Sequence, residues 1–110
     1  MSTSGHPTDT FERPAQPELC LVIPCYNEEA VLPRLVTQLA DFVRATPHPV
    51  RVLLVDDGSR DRTFALIEEA CRANPAFGGL RFSRNFGHQT AVSAGLRFAR
   101  GDVIGVLDAD

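Results

Sequence analysis

Four short apolar runs mark the chain, and between them apolar residues recur every three or four positions. The first run, Leu19 to Ile23, reads as a strand closed by Pro24, which has no N–H to give to a sheet ladder. A polar loop follows, Cys25-Tyr26-Asn27-Glu28-Glu29. Leu32, Leu35, Val36, Leu39, Phe42 and Val43 then fall at helical spacing and predict one apolar stripe. Pro33 is tolerated because the N–H groups of a first turn have no intrahelical partner. Glu28 and Glu29 suit the positive end of the helix dipole, and Thr46-Pro47-His48-Pro49 ends the helix.

Val50 to Val55 predicts a second strand, with Leu53, Leu54 and Val55 apolar without a break, as in a parallel sheet buried on both faces. Asp56-Asp57-Gly58-Ser59 closes it. Ser59 or Asp61 is placed to cap a helix over Arg62 to Ala73, whose inner face is Phe64, Ile67 and Cys71. Asn74-Pro75 stops that helix and Gly78-Gly79 makes the return. A third strand is expected at Leu80 to Ser83 and a loop at Arg84-Asn85-Phe86-Gly87. A helix follows over His88 to Arg100, with Ala91, Val92, Gly95 and Phe98 inward and Gly101 as its C-cap. Val103 to Leu107 is the fourth strand, and Asp108-Ala109-Asp110 follows it.

The order β-α-β-α-β-α-β predicts an α/β fold with right-handed crossovers and a mostly parallel, Rossmann-like sheet of four strands carrying helices on both faces. Ligands of such sheets bind outside the carboxyl ends of the strands, at a topological switch point. The chemically distinctive residues fall there. Pro24 and Tyr26 follow strand one, Asp56 and Asp57 follow strand two, and Asp108 and Asp110 follow strand four.

With 110 residues the chain forms one small domain at most. Its net charge of −3 gives no basic field for a nucleic-acid partner. Three cysteines, Cys20, Cys25 and Cys71, are odd in number and lack zinc-type spacing, which fits a reducing, cytoplasmic compartment. No apolar run approaches the length of a membrane span. Residues 1–17 are rich in Ser, Thr, Pro and Gly with no signal-peptide core, and predict a disordered leader before a domain over 18–110. A strand that ends in its acidic pair predicts an amino-terminal fragment of a larger domain, with any membrane attachment in the part beyond.

Two carboxylates one residue apart, Asp108 and Asp110, form an oxygen donor set suited to Mg²⁺ or Mn²⁺, ions that commonly also hold phosphates. Asp is equally common in turns, which also accounts for Asp56-Asp57-Gly58. Tyr26 offers a flat face for stacking a base. Asp57 can accept from a base N–H and Glu28 from ribose hydroxyls. Arg84 either neutralises phosphate or is a solvated loop Arg, and His88 reads as structural or capping. Neither a G-x-G-x-x-G fingerprint nor a P-loop is present, so a bound pyrophosphate needs a metal.

Pro24-Cys25-Tyr26-Asn27-Glu28-Glu29, Val55-Asp56-Asp57-Gly58-Ser59, Arg84-Asn85-Phe86-Gly87 and Leu107-Asp108-Ala109-Asp110 together resemble family 2 glycosyltransferases of the GT-A fold. The branch this sequence is most similar to is the dolichol- and undecaprenyl-phosphate sugar transferases. The resemblance covers Leu19 to Asp110. It implies a nucleotide-diphosphate-sugar donor, UDP- or GDP-linked. Pro24, Tyr26, Glu28, Val55 and Asp57 would surround base and ribose, and Asp108 and Ala109 would complete the donor site. Asp108 and Asp110 would hold the Mg²⁺ or Mn²⁺ ion. It further implies a lipid-phosphate acceptor, action at the cytoplasmic face of a membrane, and an acceptor half that lies beyond Asp110, so that this stretch alone is inactive.

Two other readings compete. Arg51 to Asp57 looks like the first strand and acidic pair of a response-regulator receiver domain, with Asp108 or Asp110 as phosphoacceptor. The chain also fits a non-catalytic module that binds nucleotide sugars.

Overall fold

The computed structural model describes residues 18–99, 101, 103–107 and 109. The leader expected over 1–17 lies outside them, as do Arg100, Asp108 and Asp110. Four parallel strands form one sheet in the order β3-β2-β1-β4: β1 (Leu19–Cys25), β2 (Val50–Asp56), β3 (Phe77–Arg81) and β4 (Val103–Val106). Helices α1 (Leu32–Ala45), α2 (Thr63–Ala73) and α3 (His88–Phe98) join them in alternation. The chain steps outward from β1 to β2 to β3, then β4 lands on the other side of β1. That reversal puts the switch point between β1 and β4.

Side-chain alternation along the strands sorts the core into two layers. Leu21, Ile23 and Cys25 of β1 share one face with Val52 and Leu54 of β2, and α1 and α2 cover it with Leu32, Leu39, Ile67 and Ala70. Val22 and Val55 point the other way and meet Ala91 of α3. Burial on both faces is what the unbroken apolar runs of β1 and β2 encode. Phe42, expected in the α1 stripe, is exposed, because it lies on the flank of the Leu32-Leu35-Val36-Leu39 face.

Several boundaries differ from the sequence expectation for identifiable reasons. β1 runs on through Pro24, which pairs with Val55 in register. Leu19 N donates to Pro49 O on the β2 side, whereas Val22 O accepts from Leu107 N on the β4 side. The alternation therefore turns the nitrogen of Pro24 toward β4, just past that strand's end, where the missing donor costs nothing. Glu28 and Glu29 lie outside α1, whose first turn contains no acidic residue. Phe98, expected inward on α3, is 57% exposed.

β3 starts three residues earlier than expected and takes in Gly78 and Gly79, read from sequence as a turn. Gly79 is there for packing, since a Cβ at that position would stand 2.7 Å from Ile67 Cγ2 of α2. Gly95 of α3 serves the same purpose on the opposite face, where a Cβ would meet Val22 Cγ1 at 2.3 Å. Gly101 is not the C-cap of α3. That position is Ala99, and Gly101 instead lets the chain pass close to Glu18 O and Cys20. β4 pairs with β1 alone and leaves Ile104 and Val106 42% exposed, so the expected burial of this strand is not met among the described residues.

Candidate functional site

Two loops build the floor of the site by exchanging hydrogen bonds across the sheet's carboxyl end. Asn27 N donates to Ser59 Oγ at 2.8 Å and Asn27 Oδ1 accepts from Arg60 N at 2.9 Å. Glu28 N donates to Thr63 Oγ1 at 2.8 Å, Glu29 N to Asp61 Oδ2 at 3.2 Å, and Arg62 N to Glu29 Oε1 at 3.3 Å. Thr63 Oγ1 donates onward to Asp61 Oδ1 at 2.5 Å. Ser59 or Asp61 was expected to cap α2. Ser59 is spent across the loops, and Asp61 does both jobs, accepting from Thr63 N at 2.9 Å at the helix entry as well. Desolvation pushes the Asp61 carboxyl up, but the hydrogen bonds from the Thr63 hydroxyl, Thr63 N and Glu29 N outweigh it and hold the group below the usual carboxylate range.

Asn27 is the one non-glycine with positive φ among the described residues, at 52°, a region that Asn tolerates better than most side chains. Asn27→Ala is expected to destabilise the protein by about 1–3 kcal/mol, through the left-handed strain and the lost bond to Arg60 N. Urea unfolding of the variant measures it, and an unchanged midpoint would mean the two loops are not held together through this residue.

The acidic pair, expected after strand two, straddles the end of β2, whose last residue is Asp56, and is split by strand alternation. Asp56 turns into the α1–α2 layer and is fully buried. Its Oδ1 accepts from Ser59 N at 3.1 Å, while its Oδ2 faces Arg81 Nε at 3.8 Å without a hydrogen bond. Asp57, 3% exposed, turns to the opening instead. Its Oδ1 accepts from Phe86 N at 2.8 Å, and its Oδ2 from Gly87 N at 3.0 Å and Asn85 Nδ2 at 3.1 Å. The Asn85-Phe86-Gly87 loop is thereby clamped to the end of β2. Gly58 lets the loops meet, because a Cβ on it would lie 2.1 Å from the carbonyl carbon of Arg84.

Between these loops lies an open cleft of about 460 Å³, lined by Pro24, Cys25, Tyr26, Glu28, Asp57, Asn85, Gly87, His88 and Ala109. It sits at the carboxyl ends of β2, β1 and β4, across the point where the sheet order reverses. Pro24, Tyr26, Glu28, Asp57 and Ala109 were all expected around a donor, and the fold brings the five together. Tyr26 keeps 41% of its surface open. Val55, also expected there, does not line the cleft. It is fully buried beneath α3, because its side chain points to the face opposite Leu54. Arg84 stays outside as well, its guanidinium lying 4.7 Å over the Phe86 ring. Asp108 and Asp110 lie outside the described residues; Ala109 between them is a wall of the cleft.

Sequence reasoning gave Asn85 no separate role and treated His88 as structural, yet both line the cleft. The signal for Asn85 was its place in a four-residue motif, but its partner, Asp57, is 28 residues away. Cys25 also lines the wall, with its side chain buried. Burial, then Glu28 and Asp56 nearby, push its thiol up to about 12. At pH 8 Cys25 is therefore expected to resist iodoacetamide in the folded protein and to react once denatured, as peptide mass mapping would read. The raised value also means that stability present below pH 9 is lost as the pH climbs from about 9 toward 12, where the unfolded thiol ionises first.

The geometry has counterparts in known proteins. The family model for "Glycosyl transferase family 2" matches residues 20–110. The chain is 40% identical over 90 residues to the uncharacterized glycosyltransferase YkcC of Bacillus subtilis (strain 168), covering 82% of this chain and 28% of that protein. It is 41% identical over 91 residues to undecaprenyl-phosphate 4-deoxy-4-formamido-L-arabinose transferase of Pseudomonas fluorescens (strain Pf0-1), covering 82% and 27%. The chain thus spans under a third of the length of these relatives. Among solved structures, S. aureus TarS 1-349 in complex with UDP-GlcNAc superposes with a TM-score of 0.73 at 25% identity, over 84% of this chain and 26% of that one. The mannosyltransferase PcManGT from Pyrobaculum calidifontis, in complex with GDP-Man and Mn²⁺, does so with a TM-score of 0.70 at 24% identity, over 86% and 28%. The fold is part of the GT-A architecture, and the receiver reading is set aside. The chain belongs to glycosyl transferase family 2.

Proposed function

We propose that the protein transfers a sugar from a nucleotide-diphosphate-sugar donor to a polyprenyl phosphate, with a divalent cation, Mg²⁺ or Mn²⁺, held by Asp108 and Asp110. The observation that carries this reading is the cleft at the switch point, where Pro24, Tyr26, Glu28, Asp57 and Ala109 converge. Tyr26 offers its exposed ring to the base, Asp57 accepts from the base edge, and Glu28 accepts from the ribose. Asp108 and Asp110 flank Ala109, which lines this cleft, so the acidic pair brackets a residue of the donor site. Their four carboxylate oxygens are a hard donor set that fits either ion. When bound, the ion supplies Lewis-acid stabilisation of the departing nucleoside diphosphate.

The acceptor follows from the relatives, several of which are named for transfer to undecaprenyl phosphate or bactoprenol. A phosphate monoester has a second pKa near 6 and is largely ionised at neutral pH, so it attacks without a protein base. No described helix is long and apolar enough to cross a membrane. The place of action we assign is the cytoplasmic face of a membrane, where nucleotide sugars meet a lipid phosphate.

The test is transfer by the intact protein. Undecaprenyl phosphate in detergent, Mn²⁺ and tritiated UDP-glucose, UDP-GlcNAc or GDP-mannose are incubated, and organic-phase label is counted. Label with one donor, lost in Asp110→Asn, supports the reading. Nucleotide binding without transfer to any acceptor would favour the non-catalytic module instead.

A further inference from the structure

The Asp57 carboxylate is almost fully committed before any ligand arrives. An ionised carboxylate offers about four lone-pair sites, two on each oxygen. Oδ2 already accepts from Asn85 Nδ2 and Gly87 N, and Oδ1 from Phe86 N. Asn85 has no further hydrogen to give, because its amide nitrogen also donates to Asp57 O at 3.2 Å. Two of the three donors are backbone groups of a loop whose Gly87 is fixed at φ 105°. Among the described residues, one acceptor position remains, on Oδ1, in a residue that lines the cleft and is 3% exposed.

We infer that this single vacancy makes the cleft select a base with one N–H on its pairing edge, uracil, over guanine. The inference rests on the donor-site reading above and adds the identity of the base. Uracil presents one imide N–H at N3 between two carbonyls, and Oδ1 can take it. Guanine presents two adjacent donors, N1–H and N2–H, which pair best with both oxygens of one carboxylate. Oδ2 is full, so this carboxylate can take only one of the two guanine donors and leaves the other without its carboxylate partner. An unpaired donor in such a position weakens binding roughly tenfold or more. The sequence does not carry this distinction, since an Asp in a turn is open to either base until the loop at 85–87 fills it.

Isothermal titration of the intact protein with UDP, GDP and N3-methyl-UDP, in Mn²⁺, decides it. UDP is expected to bind at least tenfold tighter than GDP, and N3-methylation to remove that advantage. In Asn85→Ala, Oδ2 regains a site and the gap between UDP and GDP narrows. GDP binding as tightly as UDP, or N3-methyl-UDP binding as well as UDP, overturns the selectivity and leaves the donor site standing. A gap unchanged in folded Asn85→Ala overturns the count of acceptor sites as its cause. No binding of any nucleotide overturns both this inference and the reading beneath it.

Discussion

Gly58→Ala is expected to be among the most damaging single substitutions in the chain, lowering stability by about 2–5 kcal/mol. Two costs add. The residue sits at φ 73°, where a Cβ carries a left-handed penalty of about 1–2 kcal/mol. The added carbon would also meet Arg84 C at 2.1 Å, Asn85 N at 2.4 Å and Arg84 O at 2.5 Å. Those are backbone atoms, which cannot swing aside as a side-chain tip can, so the overpacking term of about 1–3 kcal/mol applies in full. The damage is directional as well. Relief can come only by moving the 84–87 loop away from the end of β2, which pulls Asn85 and Gly87 out of the cleft wall. Chemical denaturation measures the stability, and nucleotide titration of the folded fraction measures the site. Gly87→Ala is a useful contrast. Its φ of 105° is strained for alanine, but among the described residues nothing beyond its own chain neighbours lies within 4 Å of the added carbon. A Gly58→Ala protein no less stable than Gly87→Ala would show that the contact with Arg84 is not tight.

Asp57→Ala is expected to cost about 2–4 kcal/mol and to abolish nucleotide binding. Removing the carboxylate strands three donors at once, Phe86 N, Gly87 N and Asn85 Nδ2, in a part-buried setting. Each bond to a charged acceptor is worth about 1.5–3 kcal/mol, and loop relaxation into water recovers part of the sum. Asp57→Asn separates the two roles. The amide keeps one acceptor oxygen but sets an NH₂ against the loop's own donors, so loop and ligand contacts both suffer. Asp56→Asn, one residue earlier, should leave nucleotide affinity nearly unchanged. Asp56 does not line the cleft and acts on Ser59 N and Arg81 within the α1–α2 layer. Equal loss of binding in the two Asn variants would contradict the division of labour that the strand alternation imposes.

Much of this protein was legible along the chain. Apolar runs of four to six residues, alternating with stripes at helical spacing, pointed to an α/β fold, and the placement of Tyr26, Glu28 and Asp57 just after strands put them at one sheet edge. Those inferences are local, because strand and helix periodicities are set by backbone geometry within a few residues. The motifs around Pro24, Asp57 and Asp110 carried the family for the same reason, as short strings whose order survives without coordinates.

What needed the tertiary structure was every pairing between distant segments. Gly78 and Gly79 look like a turn until Ile67 is found pressing on the strand they belong to. Ser59 looks like a helix cap until Asn27, 32 residues back, claims its oxygen. Asp56 and Asp57 look equivalent until pleating sends one into the core and the other to the cleft. Val55 looks like a member of the site until the same pleating buries it under α3. The capacity of Asp57 for a ligand depends on Asn85, Phe86 and Gly87 about 30 residues away. Periodicity specifies which face a residue occupies, but a hydrogen bond or a van der Waals contact is specified to a fraction of an ångström, and only the packed chain brings both partners to that distance.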